Sequence, residues 1–210
     1  MEMENFEKTL EPILGNLEEI ILNIDEESIK VYEFLKTEFS KGDILENHIF
    51  QFCFRSFYGL DSAGLTEDFK NHYFKLLVNI TPNDTILDDL KKIVNELYEI
   101  KNLKGSSSLQ ISFATKLLHT VDNSFPIYDS KVVALMGFKN PPHYLTKDVR
   151  LEKFVAQIEE LRAFYNILSN QENVIKKFDE RFKTVISKEK KLDFILWSAG
   201  KLKSKKLKIN

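Results

Sequence analysis

A single cysteine, Cys53, excludes an intramolecular disulfide and any four-cysteine zinc or iron–sulfur site within the chain. A reducing compartment is the simplest home for it. Only 7 glycines and 5 prolines punctuate the 210 residues, and sustained alternation of apolar and polar residues is almost absent, so strands are not expected. No stretch approaches the ~20 apolar residues of a membrane span. The acidic start, MEMENFEKTL, lacks the positive region and apolar run of a secretory signal. A cytoplasmic protein with no membrane partner is therefore expected. The sequence has no Gly-rich phosphate loop, HExxH, GxSxG, CxxC or EF-hand loop. His48, His72, His119 and His143 stand far apart, none with a second His or Cys at ligand spacing, and read as surface or hydrogen-bonded residues. No metal, metal cluster or cofactor is expected.

What the chain does have is 43% hydrophobic residues, enough to bury a sizeable core, and a lopsided distribution of charge. Residues 1–100 hold 9 Lys+Arg against 21 Asp+Glu, a net of −12, and residues 101–210 hold 21 against 11, a net of +10. A basic second half ending in Lys201, Lys203, Lys205, Lys206 and Lys208 suits a polyanion. An acidic lobe docked on a basic one, or a solvated lysine tail, accounts for the same numbers.

The apolar spacing is helical in nearly every segment and predicts an all-α fold of two lobes, 1–83 (acidic) and 84–210 (basic), packed as one unit. Helices are predicted near 6–24 with a break or kink at Pro12, near 28–39, near 44–58, and over 66–78 with Thr66 as N-cap. After Pro82, Asp84 caps a helix whose Ile86, Leu90, Ile93, Leu97 and Ile100 share one face. LKGSSS (103–108) then makes a turn, with Gly105 supplying a left-handed residue, and a second helix runs through Phe113, Leu117 and Leu118. Asp129 opens a short helix ending near Gly137. A long helix follows, with Leu151, Phe154, Val155, Ile158, Leu161, Tyr165 and Leu168 on one face. Helices over 174–185 and 191–199, the latter stopped by Gly200, close the chain.

The hairpin has a physical use. Backbone N–H groups at the start of its second helix, aided by the helix dipole, bind a phosphate without reading sequence. Gly105 would shape that turn, Ser106, Ser107 and Ser108 would add hydroxyl donors, and Lys104 would add charge. An ordinary turn between packed helices is the plainer reading.

The order of helix, Gly-containing hairpin (LKGSSS), second helix (SFATKLLHTV), then proline and aspartate opening the next helix (FPIYDSKV) resembles the helix-hairpin-helix/Gly-Pro-Asp superfamily of DNA glycosylases, closest to its 8-oxoguanine-glycosylase-like branch. The likeness covers about a quarter of the chain. It implies duplex DNA as partner, Asp129 as the catalytic carboxylate, and excision of a damaged base by N-glycosidic cleavage. Two departures stand out. Ser107 replaces the usual second hairpin glycine, and the place of the family's nucleophilic lysine falls near Leu109 or Gln110, neither able to form a Schiff base. Lys104 and Lys116 are the nearest substitutes. A monofunctional enzyme using water is the resulting expectation, with lyase activity in doubt. Tyr128 and Trp197 are candidate base-pocket aromatics, although core packing suits both. Asp129 as a plain N-cap is equally compatible with the sequence. The alternative is a non-catalytic helical protein that keeps the glycosylase fold and binds nucleic acid or a protein partner. The blocks FRSFYGLDSAGLTEDF and KKLDFILWSAGK suggest no mechanism.

Overall fold

A computed structural model describes residues 3–80 and 86–206. Every regular element among them is an α-helix: α1 (Met3–Gly15), α2 (Leu17–Leu22), α3 (Glu26–Ser40), α4 (His48–Tyr58), α5 (Glu67–Asn79), α6 (Ile86–Tyr98), α7 (Ile111–Val121), α8 (Ser130–Met136), α9 (Lys147–Ser169), α10 (Glu172–Arg181) and α11 (Lys188–Lys206). None is long and apolar enough to cross a membrane. Asp84 and Lys208 lie outside the described residues.

The helices gather into two units, one of residues 27–122 and one of residues 1–26 with 123–210. These divisions differ from the expected boundary at 83/84. In the 27–122 unit α6 packs on both α5 and α7, and a boundary at 83/84 would cut a shared aromatic core. The Tyr73 hydroxyl donates to the Phe113 carbonyl at 3.0 Å, and the Phe69 and Phe113 rings meet edge to face, 6.4 Å apart. Ile86, Leu90, Ile93 and Leu97 are buried as their spacing predicts, while Ile100 lies beyond the helix end. The FRSFYGLDSAGLTEDF block is the corner joining α4 to α5. Gly59 ends α4 in the left-handed conformation and Thr66 caps α5 through the Phe69 N–H. Asp61 pairs with Lys70 at 2.9 Å and with Arg55 at 3.4 Å.

In the other unit the two ends of the sequence pack together. The Phe6 ring lies 5.6 Å from Phe164. Ser198 donates to the Ile20 carbonyl at 2.7 Å and accepts from Asn23 at 3.2 Å. Pro12 is accommodated inside α1, and the break falls at Gly15–Asn16 instead. Because the acidic N-terminal helices join the lysine-rich C-terminal ones, the charge asymmetry along the sequence largely disappears in space. This unit holds 19 Lys+Arg against 18 Asp+Glu, and the 27–122 unit 11 against 14. Lys177 pairs with Glu18 across that join.

Gly200 does not stop the last helix, which runs on through it. A β-carbon there would stand 2.2 Å from the Lys131 carbonyl oxygen, so the glycine serves close approach of α11 to α8 rather than termination. The helix before it ends at Arg181, well short of Val185, and leaves residues 182–187 as a connection.

Candidate functional site around Asp129

Asp129 takes an extended backbone conformation (φ −100°, ψ 155°) and N-caps α8, its Oδ1 accepting from the Lys131 N–H at 2.9 Å. The carboxylate is partly buried. It sits at the start of a short helix, a position where the local dipole favours negative charge.

The same unit contains buried polar groups that the sequence did not single out. Lys190 and Asp193, one turn apart on α11, form a buried ion pair at 2.6 Å, and the Lys190 ammonium also sits 4.8 Å from the Phe194 ring centre. Tyr165 on α9 is buried, and its hydroxyl makes no hydrogen bond of good geometry among the described residues. Burial pushes this phenol well above its ordinary acidity range, and the nearby Asp193 carboxylate, with a smaller contribution from Asp129, pushes it the same way. Tyr165 therefore stays protonated. In the sequence, Lys190 and Asp193 fall within the block KKLDFILWSAGK, and no local signal separates them from Lys188 or Lys191.

Residues 104–108 are exposed, and Gly105 has the left-handed φ of +74° that its place in the turn requires. The connection is longer than a tight hairpin, however, because α6 ends at Tyr98 and α7 begins at Ile111. Ser106, Ser107 and Ser108 thus precede the second helix instead of opening it. Asn102 organises the loop. Its side-chain oxygen accepts from the Lys104 and Ser106 N–H groups at 2.9 and 3.1 Å, and its carbonyl accepts from the Gly105 N–H at 2.9 Å. Three loop N–H groups are thus taken up within the loop, two by the Asn102 side chain and one by its carbonyl, since a short amide side chain competes well for nearby backbone donors.

Of the candidate lysines, Lys104 is exposed in that loop and Lys116 is buried. The Lys116 ammonium donates to the Tyr58 carbonyl at 3.0 Å and lies 5.1 Å from the Phe113 ring centre. It thus supports the C-terminal end of α4. His119, also on α7, is fully buried with its ring 6.3 Å from that of Tyr32. Tyr128 is core, stacked on Phe138 and edge-on to Phe154, with its hydroxyl bonded to Gln157. Trp197 is not core: it is 39% exposed on α11. At the far end of α8 from Asp129, a groove of about 350 Å3 runs past Pro12, Ile13, Ile20, Leu135, Leu202 and Lys203. No three His, Cys, Asp or Glu side chains gather as a metal site among the described residues.

Comparison of the chain with protein-family models, with curated proteins and with solved structures gives no match.

Proposed function

We propose that this protein is a DNA glycosylase-like enzyme that binds duplex DNA and removes a damaged base by hydrolysis. The observation that carries the reading is the Asp129 carboxylate, partly buried at the start of α8 with its Oδ1 accepting from the Lys131 N–H. In this reading α6, the loop around Gly105 and α7 are the helix-hairpin-helix element of a two-lobed glycosylase fold. The target nucleotide leaves the stack most readily where damage or mismatch has already weakened its pairing. As the bond from C1′ to the base nitrogen breaks, positive charge develops on the sugar and Asp129 stabilises it. A water forms the new C1′–O bond, giving its proton to Asp129, while the departing base takes up a proton from solvent. Lys116 is engaged on the Tyr58 carbonyl, which supports a monofunctional reaction.

The inward-turned N–H groups of Lys104, Gly105 and Ser106 favour a second reading. Here the chain is a non-catalytic helical protein that binds nucleic acid or a protein partner on the same fold. Incubation with duplexes each bearing one lesion, analysed with and without alkaline treatment, separates the two. The enzyme reading expects free base together with strand scission only after alkali. No base release from any duplex favours the non-catalytic protein.

A further inference from the structure

Trp197 is the only tryptophan of the chain, and burying such a side chain removes a large apolar area from water. Here it stays 39% exposed although Leu196 and Ser198 on either side are fully buried. Its surroundings have a definite chemistry. Residues four apart lie nearly above one another on a helix, so Asp193, Trp197, Lys201 and Lys205 form one row along α11. The row starts inside, at the Asp193 carboxylate paired with Lys190, and emerges at the indole. The Lys201 ammonium lies 5.1 Å from the indole ring centre, and Lys205 is exposed a turn further on. Neither lysine has a carboxylate partner among the described residues, in contrast to Lys177, Lys190 and Lys191, which pair with Glu18, Asp193 and Asp179. The groove residues Ala199 and Lys203 lie about half a turn away on the same helix.

We propose that the row Trp197–Lys201–Lys205 is a contact for unpaired nucleotides, with a base stacked on the indole and the flanking phosphates on the two lysines. The proposal rests on the nucleic-acid reading above and extends it to a named face. An acidic peptide would satisfy the lysines but would gain little from an exposed indole. Every nucleobase has a face that stacks on one, whatever the sequence. A base moving onto the ring displaces the Lys201 ammonium toward the adjoining phosphate, replacing a cation–π contact by an ion pair. The row emerges from the buried Asp193 at the indole, so the part open to a strand runs from Trp197 to Lys205.

Because Trp197 is alone, its fluorescence reports on this face directly. The full chain is titrated with an oligothymidylate, with a lesion-free duplex of equal length and with vesicles of phosphatidylserine and phosphatidylcholine, at low and raised salt. The proposal expects quenching by the oligothymidylate, stronger than by the duplex. Trp197→Ala should weaken its binding, read by anisotropy of labelled strand, on the order of 10-fold or more, with Trp197→Phe retaining most of it. Replacing Lys201 and Lys205 together by Gln should lower the salt-dependence slope by about 1.4. All are exposed or partly exposed positions, and an unchanged helical spectrum establishes that each variant folds. Absence of quenching, equal binding by Trp197→Ala, or quenching by vesicles but not by the oligothymidylate overturns the proposal. Base release by the wild type without quenching removes this contact and leaves the enzyme reading. Quenching without base release from any lesion does the reverse.

Discussion

Gly200 on α11 lies directly against the backbone of Lys131 on α8, so closely that a β-carbon would stand 2.2 Å from the carbonyl oxygen and 2.6 Å from the carbonyl carbon. Both atoms are backbone, and neither can swing aside as a flexible side chain would. In an ordinary helix interior Gly→Ala stabilises by about 0.5–1 kcal/mol. Here Gly200→Ala should instead destabilise by about 1–3 kcal/mol, the usual cost of overpacking. A urea midpoint equal to or above that of the wild type would refute the close contact. Since Lys131 supplies the N–H that Asp129 caps, the same variant should also slow any base excision.

Lys116 carries its ammonium to the end of α4, where the Tyr58 carbonyl would otherwise be left without a donor of its own helix. Lys116→Met keeps the apolar stem and removes the donor, so it should cost about 1.5–3 kcal/mol through loss of a buried charge-assisted hydrogen bond. A Schiff-base lysine behaves differently. Borohydride treatment of the wild type with damaged DNA should trap no covalent adduct, and an adduct mapping to Lys116 would restore the lyase chemistry.

Gly105 holds a φ of +74° with nothing within 4 Å of where a β-carbon would project. The cost of substitution is therefore conformational alone. Gly105→Val should lose about 1–2 kcal/mol and weaken duplex binding, while Gly105→Asn, which tolerates the left-handed region better, should retain most of both. A Val variant that folds and binds DNA like the wild type would remove this loop from the interface.

Sequence periodicity made the helices legible where one face is continuously apolar. The α9 row from Leu151 to Leu168 and the α6 row from Ile86 to Leu97 are buried as spaced. The caps at Thr66 and Asp129 and the left-handed Gly105 were legible because local chemistry decides them. The rest depends on partners distant in sequence. Gly200 reads as a stop until α8 is seen against it, and nothing local in KKLDFILWSAGK marks the buried Lys190–Asp193 pair. The pairing of the two chain ends, which cancels the charge asymmetry, leaves no local trace.

Three phenols, Tyr73, Tyr128 and Tyr165, are held above the ordinary tyrosine range, in each case chiefly by burial. The unfolded chain begins to lose these protons near pH 10 while the folded chain keeps them. Their contribution to stability is thus present below about pH 10 and lost as pH rises through the raised folded values. With three groups the fall approaches about 4 kcal/mol per pH unit. Chemical denaturation at a series of alkaline pH values, followed together with tyrosinate absorbance, should show unfolding and ionisation as one event. Ionisation of all seven tyrosines in a chain that remains helical would contradict this account.

Asp129 serves as cap in the structure and as catalyst in the proposed reaction, and one substitution separates the two roles. Asn is about as good an N-cap as Asp, so Asp129→Asn should keep the bond from the Lys131 N–H while losing a dipole contribution of about 0.3–1 kcal/mol. The melting temperature should move little and DNA affinity should persist. The amide carries no negative charge to set against a developing oxocarbenium ion, and it is a poor acceptor for the proton of an attacking water. Base release, if the carboxylate acts as proposed, should therefore fall by a factor on the order of 100 or more. Asp129→Ala is the control in the other direction, losing both cap and charge, and should lower stability by about 0.5–2 kcal/mol as well as abolish excision. Single-turnover rates on one lesion decide the matter. Equal rates for wild type and Asp129→Asn would leave the residue as a cap alone and withdraw the main support for calling the protein a glycosylase.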